Sequence, residues 1–202
     1  MPMSMYQAAR PARSEFVQLR SLRHHLRRWD AGQPAAQAAP VVLLHGWMDV
    51  GASWQFVVDA LSQGFAEDRT LVAPDWRGFG LTRPDPVPDS YVFNDYLGDL
   101  DQLLTHCFGD SPVDLVGHSM GGNIAMLYAG VRPQRVRRLV NLEGFGMPAT
   151  QPAQAGARLG QWLDAIAALP TGAFALTSYD SADSVAQRLV KTNPRLAPDK
   201  AA

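Results

Sequence analysis

Four short apolar runs, separated by glycine- or proline-containing turns and helical stripes, leave this 202-residue chain few ways to fold. They are Val41-Val42-Leu43-Leu44, Thr70-Leu71-Val72-Ala73, Val113-Asp114-Leu115-Val116 and residues 136–142. The first three suit strands covered on both faces, and residues 136–142 read as a fourth strand. Between them lie helical patterns. Trp54, Val57, Val58 and Leu61 follow the i, i+3, i+4, i+7 spacing, with Ser53 as the expected cap. Phe93, Tyr96, Leu97, Leu100, Leu104 and Cys107 line one face of a longer helix, with Ser90 as its expected cap. Strands alternating with helices imply right-handed crossovers and a parallel sheet. Residues 16–20 and 22–29 instead alternate apolar and polar around Ser21, which predicts an antiparallel hairpin at one edge. The expected class is α/β: a mostly parallel sheet with an N-terminal antiparallel hairpin and flanking helices.

The organisation expected along the chain has three parts. Residues 1–15 read as a flexible leader and 16–146 as the α/β core. Residues 147–202 read as an incomplete helical segment. In that segment Leu159, Trp162, Leu163 and Ile166 mark one amphipathic helix, and Val185 and Leu189 another. After the Asn193-Pro194 turn, Pro198 and Asp199 suit the first turn of a further helix. Only Lys200, Ala201 and Ala202 remain to extend it, so the sequence is expected to be cut in mid-element.

Composition removes several function classes. A net charge of −1 gives no general attraction to nucleic acid or acidic membranes. Six arginines between residues 10 and 30 are expected on the solvent face of the hairpin. A single cysteine, Cys107, rules out an internal disulfide and the cysteine-based zinc spacings, so no metal is expected. Cys107 itself is expected in the core. Neither phosphate-loop nor dinucleotide glycine motifs occur, which argues against a nucleotide enzyme. The N-terminus lacks a signal-peptide apolar stretch and no run is long enough to span a membrane, so a cytoplasmic location is expected.

One motif carries chemistry. Residues 117–122 read Gly-His-Ser-Met-Gly-Gly, directly after an apolar strand and before a helix-compatible stretch. This is the G-x-S-x-G nucleophile elbow, and it names Ser119 as the nucleophile. Gly117 and Gly121 are needed because strand and helix approach too closely there for a Cβ. His118 is a poor base for its neighbour, since adjacent side chains on a tight turn diverge; it is expected to pack near the site. His45-Gly46-Trp47 follows the first buried strand. It is either a plain turn with a structural histidine or, as its position relative to the elbow favours, an oxyanion loop. In the second case the amides of Trp47 and Met120 are the donors. Arg77, Gly78 and Gly80 read as loop scaffold, with Asp75 and Arg77 as an ion pair.

The ordered motifs His-Gly-Trp (45–47), Pro-Asp-Trp-Arg-Gly-Phe-Gly (74–80) and Gly-His-Ser-Met-Gly-Gly (117–122) resemble those of the α/β-hydrolase superfamily. The resemblance covers residues 16–143. It implies an eight-stranded sheet whose last strands lie beyond this sequence, no cofactor, and acyl-transfer chemistry on esters, amides or related small molecules. It also implies a helical lid after the sixth strand, which residues 147–202 resemble. In the family the triad histidine follows the last strand, so the base is expected beyond Ala202. Glu143 has two readings: a polar residue at a strand end, with Gly144 making the turn, or the triad acid, as certain haloalkane dehalogenases place it. The dehalogenase and epoxide-hydrolase branches use Asp as nucleophile, so Ser119 points away from those activities. Trp47, His118 and Phe145 are candidates for the substrate pocket, which leans toward an apolar acyl or alcohol group. Two functions follow: a serine acyl hydrolase of carboxylesterase type, or a non-catalytic relative that binds a ligand or partner.

Overall fold

In the computed structural model, the described residues are 6–32, 38–61, 64–65, 67–88, 90–146, 149–169 and 178–201. They fall into two units: Ala9–Thr150, and Met1–Ala8 together with Gln151–Ala202.

The larger unit is built on a six-stranded sheet. Its strands are β1 (Arg13–Leu19), β2 (Leu22–Trp29), β3 (Val41–Leu44), β4 (Leu71–Pro74), β5 (Val113–His118) and β6 (Val136–Leu142). They lie in the order β1-β2-β4-β3-β5-β6. The hairpin β1–β2 is antiparallel and joins β4 antiparallel; β3–β4, β3–β5 and β5–β6 are parallel. The helices are α1 (Gln55–Ala60), α2 (Phe93–Phe108) and α3 (Met120–Val131).

The period of two along each strand explains why the central runs are apolar throughout. Val42, Leu44, Val72 and Leu115 face one cluster, with Leu100, Leu104 and Ile124 from α2 and α3. Val41, Leu43, Leu71 and Ala73 face the other, with Trp29, Trp54 and Val58. A polar residue on either face would lose its water without gaining a partner. Asp114 is the exception inside β5, and Arg137 of β6 meets its carboxylate with two donors.

Several sequence expectations need correction. The expected leader, residues 1–15, overlaps ordered structure: β1 starts at Arg13, and the Ala9 and Arg10 amides donate to Asp59. Ser53 does not cap α1. A 3-10 turn, Gly51–Trp54, precedes that helix, and the Ser53 hydroxyl donates to Asp49 instead. Nor does Ser90 cap α2, whose N-cap is the extended residue Val92, with Asp95 supplying first-turn charge. The expected Asp75–Arg77 pair is absent because each has a better partner. Asp75 takes His25, and Arg77 grips Asp99 with two donors at 2.6 and 2.7 Å. Cys107 is half-buried against the larger cluster, and burial pushes its thiol up to about 11.

Asp99 also accepts from Arg20 at 3.2 Å and is itself buried. Removing its charge leaves half-buried Arg77 with only the longer pair to Asp95, at 3.4 Å. Asp99→Asn is therefore expected to cost about 3 kcal/mol, read as a lower denaturant midpoint.

The smaller unit contains α4 (Ala155–Ala168), α5 (Ala182–Thr192) and α6 (Pro198–Ala201). Ser181 caps α5 by accepting from the Ser184 amide, in a reciprocal capping box. Pro198 begins α6 and Asp199 lies in its first turn, as their chemistry predicts. Among the described residues, no helix is long and apolar enough to cross a membrane.

Candidate active site

Ser119 stands between β5 and α3 with φ 50° and ψ −114°. A non-glycine residue in the left-handed region is strained and persists only where its surroundings hold it. Two hydrogen bonds do so. The Ser119 amide donates to the Leu142 carbonyl at 2.8 Å, extending the β5–β6 ladder around the corner. The Ser119 carbonyl accepts from Asn123 at 3.0 Å, starting α3. Ser119 is half-buried, at the carboxyl end of the parallel strands.

The glycines around it are required by space. A Cβ on Gly117 would lie 2.5 Å from the Gly121 carbonyl oxygen. One on Gly121 would run into the backbone of Leu44 and His45, and one on Gly122 into the Asn141 side chain. These contacts set β3, β5 and α3 at their mutual distance.

The loop after β3 lies against the elbow. A Cβ on Gly46 would come within 3.3 Å of the Ser119 Cβ and 3.0 Å of His118 Nδ1. His45 fixes this loop from beneath. It is fully buried, accepts from the Trp76 amide on Nε2 at 3.0 Å, and so carries its proton on Nδ1, which donates to the Gly46 carbonyl at 2.8 Å. Trp76 Nε1 returns a bond to the His45 carbonyl. His45 is thus a neutral clamp between two loops. Trp47 is exposed and meets Phe79 edge-on at 5.2 Å.

The loop after β6 forms the other side. Glu143 has φ 64°. Asn141 holds the turn by donating to the Gly144 carbonyl at 2.6 Å and accepting from the Gly144 amide at 2.8 Å. Asn123, one turn into α3, accepts from the Gly146 amide. His118 is half-exposed and directs Nε2 toward Glu143 at 3.7 Å. Phe145 is 87% exposed.

The structure therefore brings together Ser119, Met120, the 45–47 loop, His118, Glu143 and Phe145 along one sheet edge. Among the described residues no histidine hydrogen-bonds the Ser119 hydroxyl. His118 turns to Glu143, while His24, His25 and His45 engage Asp99, Asp75 and the Trp76 amide. No group of metal-ligating side chains occurs among them either. Sequence reasoning missed Asn123, Asn141 and Phe79, which shape the two loops. Their only signal was position, four residues past the serine, two before Glu143, and inside the Arg-Gly-Phe-Gly loop.

The profile of the alpha/beta hydrolase fold family matches residues 39–195, most of the chain and all of this site. The chain belongs to the alpha/beta hydrolase fold family. Among its family relatives, a cis-3-alkyl-4-alkyloxetan-2-one decarboxylase from Shewanella oneidensis is 34% identical over 119 residues, 57% of this chain and 36% of that protein. An epoxide hydrolase 2 from Siraitia grosvenorii is 41% identical over 103 residues, 50% of this chain and 31% of that one. Among solved structures, the thioesterase domain from the curacin biosynthetic pathway superposes with a TM-score of 0.72 at 27% identity, covering 94% of this chain and 65% of that one. The chain spans about a third of the length of these curated relatives.

Burial holds the His24 and His45 rings below the ordinary histidine range. Such groups are neutral when folded and take up a proton on unfolding near pH 6. The unfolded state then binds more protons, so stability falls as pH drops through 6.5, by at most about 1.4 kcal/mol per unit for each ring. Melting temperature is expected to decrease between pH 7.5 and 5.5, and His45→Gln to flatten that slope.

Proposed function

We propose that this chain carries the nucleophile and oxyanion loop of a serine hydrolase acting on a carboxylic ester or related acyl substrate. The observation that carries this reading is the strained Ser119 at the start of α3 with the Gly46 loop packed against its Cβ. Ser119 Oγ attacks the acyl carbon, and the carbonyl oxygen becomes an oxyanion. The Met120 amide, in the first turn of α3, and the Trp47 amide are assigned as its donors. The helix N-terminus favours the same negative charge. A histidine takes the Oγ proton and delivers it to the leaving alcohol; water then releases the acyl group.

None of the five histidines here hydrogen-bonds Oγ, so the proposal places the base outside residues 1–202. His118 and Phe145 are assigned to the pocket rim, and residues 147–202 to a lid. Glu143, beside His118, is assigned as the acid that would orient the incoming imidazole. Serine rather than aspartate at the elbow favours acyl substrates over epoxides. The likeness to a thioesterase domain supports the same class.

The test is a fluorophosphonate applied to the protein from its native source, followed by peptide mass mapping. A stoichiometric adduct on Ser119 is expected. The absence of that adduct would overturn the reading in favour of a non-catalytic binding module.

A further inference from the structure

Beside the hairpin, three side chains form a hydrogen-bonded serine–histidine–aspartate line. Ser14 Oγ lies 2.7 Å from His25 Nε2, and His25 Nδ1 lies 2.8 Å from Asp75 Oδ2. The register explains how they meet. Ser14 pairs with Arg27 and Phe16 with His25, so Ser14 and His25 are diagonal neighbours on one face of the β1–β2 ladder. Asp75 reaches the same imidazole from the loop after β4, because its amide donates to the His25 carbonyl.

The chemistry of the line is fixed by its innermost member. A carboxylate only accepts, so His25 Nδ1 must donate to Asp75. The neutral ring then presents a lone pair on Nε2, and the Ser14 hydroxyl donates to it. Asp75 cannot turn away, since the Gly51 and Leu81 amides donate to its two oxygens at 2.8 and 2.9 Å. His25 is held at its own amide by Thr82 Oγ1 and covered by the Phe16 ring at 5.1 Å. Histidine and aspartate are 1% and 3% exposed, while Ser14 is exposed. A buried, oriented base behind an open hydroxyl is the arrangement that activates a serine.

We propose that Ser14 is a second nucleophile, open to acylation or phosphonylation by small activated donors. Ser14 Oγ bonds to the acyl carbon as its proton passes to His25 Nε2. The bond to the leaving alcohol breaks, and that alcohol takes the proton from His25. With a fluorophosphonate the phosphorus–fluorine bond breaks and fluoride leaves with the proton. This role is independent of Ser119.

The experiment uses the Ser119→Ala protein and a fluorophosphonate, with peptide mapping of Ser14 and of the exposed Ser111 as internal reference. Ser14 is expected to label at least tenfold faster than Ser111 and to lose that advantage in urea. In a His25→Gln protein that retains a cooperative melt, the Ser14 rate should fall at least tenfold. Labelling of Ser14 no faster than Ser111, an advantage that survives in urea, or an undiminished rate in folded His25→Gln would each overturn the proposal. The comparison of Ser14 with Ser111 in buffer and in urea needs no substitution in the buried pair, so it decides the matter even if His25→Gln does not fold.

Discussion

Gly121→Ala is expected to destabilise the protein by about 3 kcal/mol or more, lowering the melting temperature by roughly 6–12 °C. The added Cβ would meet the Leu44 carbonyl, with the Leu44 carbonyl carbon at 2.6 Å and the His45 oxygen at 2.7 Å. All three atoms are backbone, so no side chain can rotate aside. Relief requires α3 to move off β3, and both are fixed by the Leu44, Leu115 and Ile124 core. Gly130 is the matched control. It lies in the same helix with nothing within 4 Å of its virtual Cβ. Gly130→Ala should be neutral or stabilising by up to about 1 kcal/mol, since alanine favours the helix. Differential scanning calorimetry of the two variants checks the contrast. Equal melting temperatures would mean that the elbow is looser than its geometry implies.

Ser119→Ala is expected to reduce turnover of an activated acyl ester by about 10³-fold or more, measured on the protein from its native source. Its fold should be unaffected, because alanine keeps the Cβ that faces Gly46. Ser119→Gly separates chemistry from strain. It should be equally inactive but more stable than Ser119→Ala by about 1 kcal/mol, because glycine adopts φ 50° without a steric penalty. Turnover that survives both substitutions would remove Ser119 from the mechanism. A Ser119→Gly protein no more stable than Ser119→Ala would mean the elbow stores no strain.

Much of this was legible in the residues because it rests on local rules. The 117–122 motif specified a glycine on each side of the serine, and the clashes at Gly117 and Gly121 supply the reason. The hairpin followed from its alternation and the parallel strands from their apolar runs. Helix caps were less legible. Ser53 and Ser90 have the right chemistry, but the chain enters α1 through a 3-10 turn and α2 through Val92. Capping depends on the backbone angles of entry, and those are set by packing.

Electrostatic pairing was the least legible. Asp75 and Arg77 are two residues apart, yet they bond to different partners. Their partners lie 50 and 22 residues distant in sequence, at His25 and Asp99. Short-range spacing cannot predict such choices, because a charge seeks whichever partner the assembled fold leaves within reach.

By itself, therefore, the sequence determined the α/β class, the strand-to-helix elbow and the identity of its serine. Periodicity and glycine placement act over a few residues, so they are readable without the rest of the fold. The tertiary structure alone decided that the Gly46 loop presses against Ser119 and that His45 is a neutral clamp. It also decided that Ser14, His25 and Asp75 meet in one line. Each of these joins segments tens of residues apart, through packing contacts or hydrogen bonds that form only once the sheet order and register are in place.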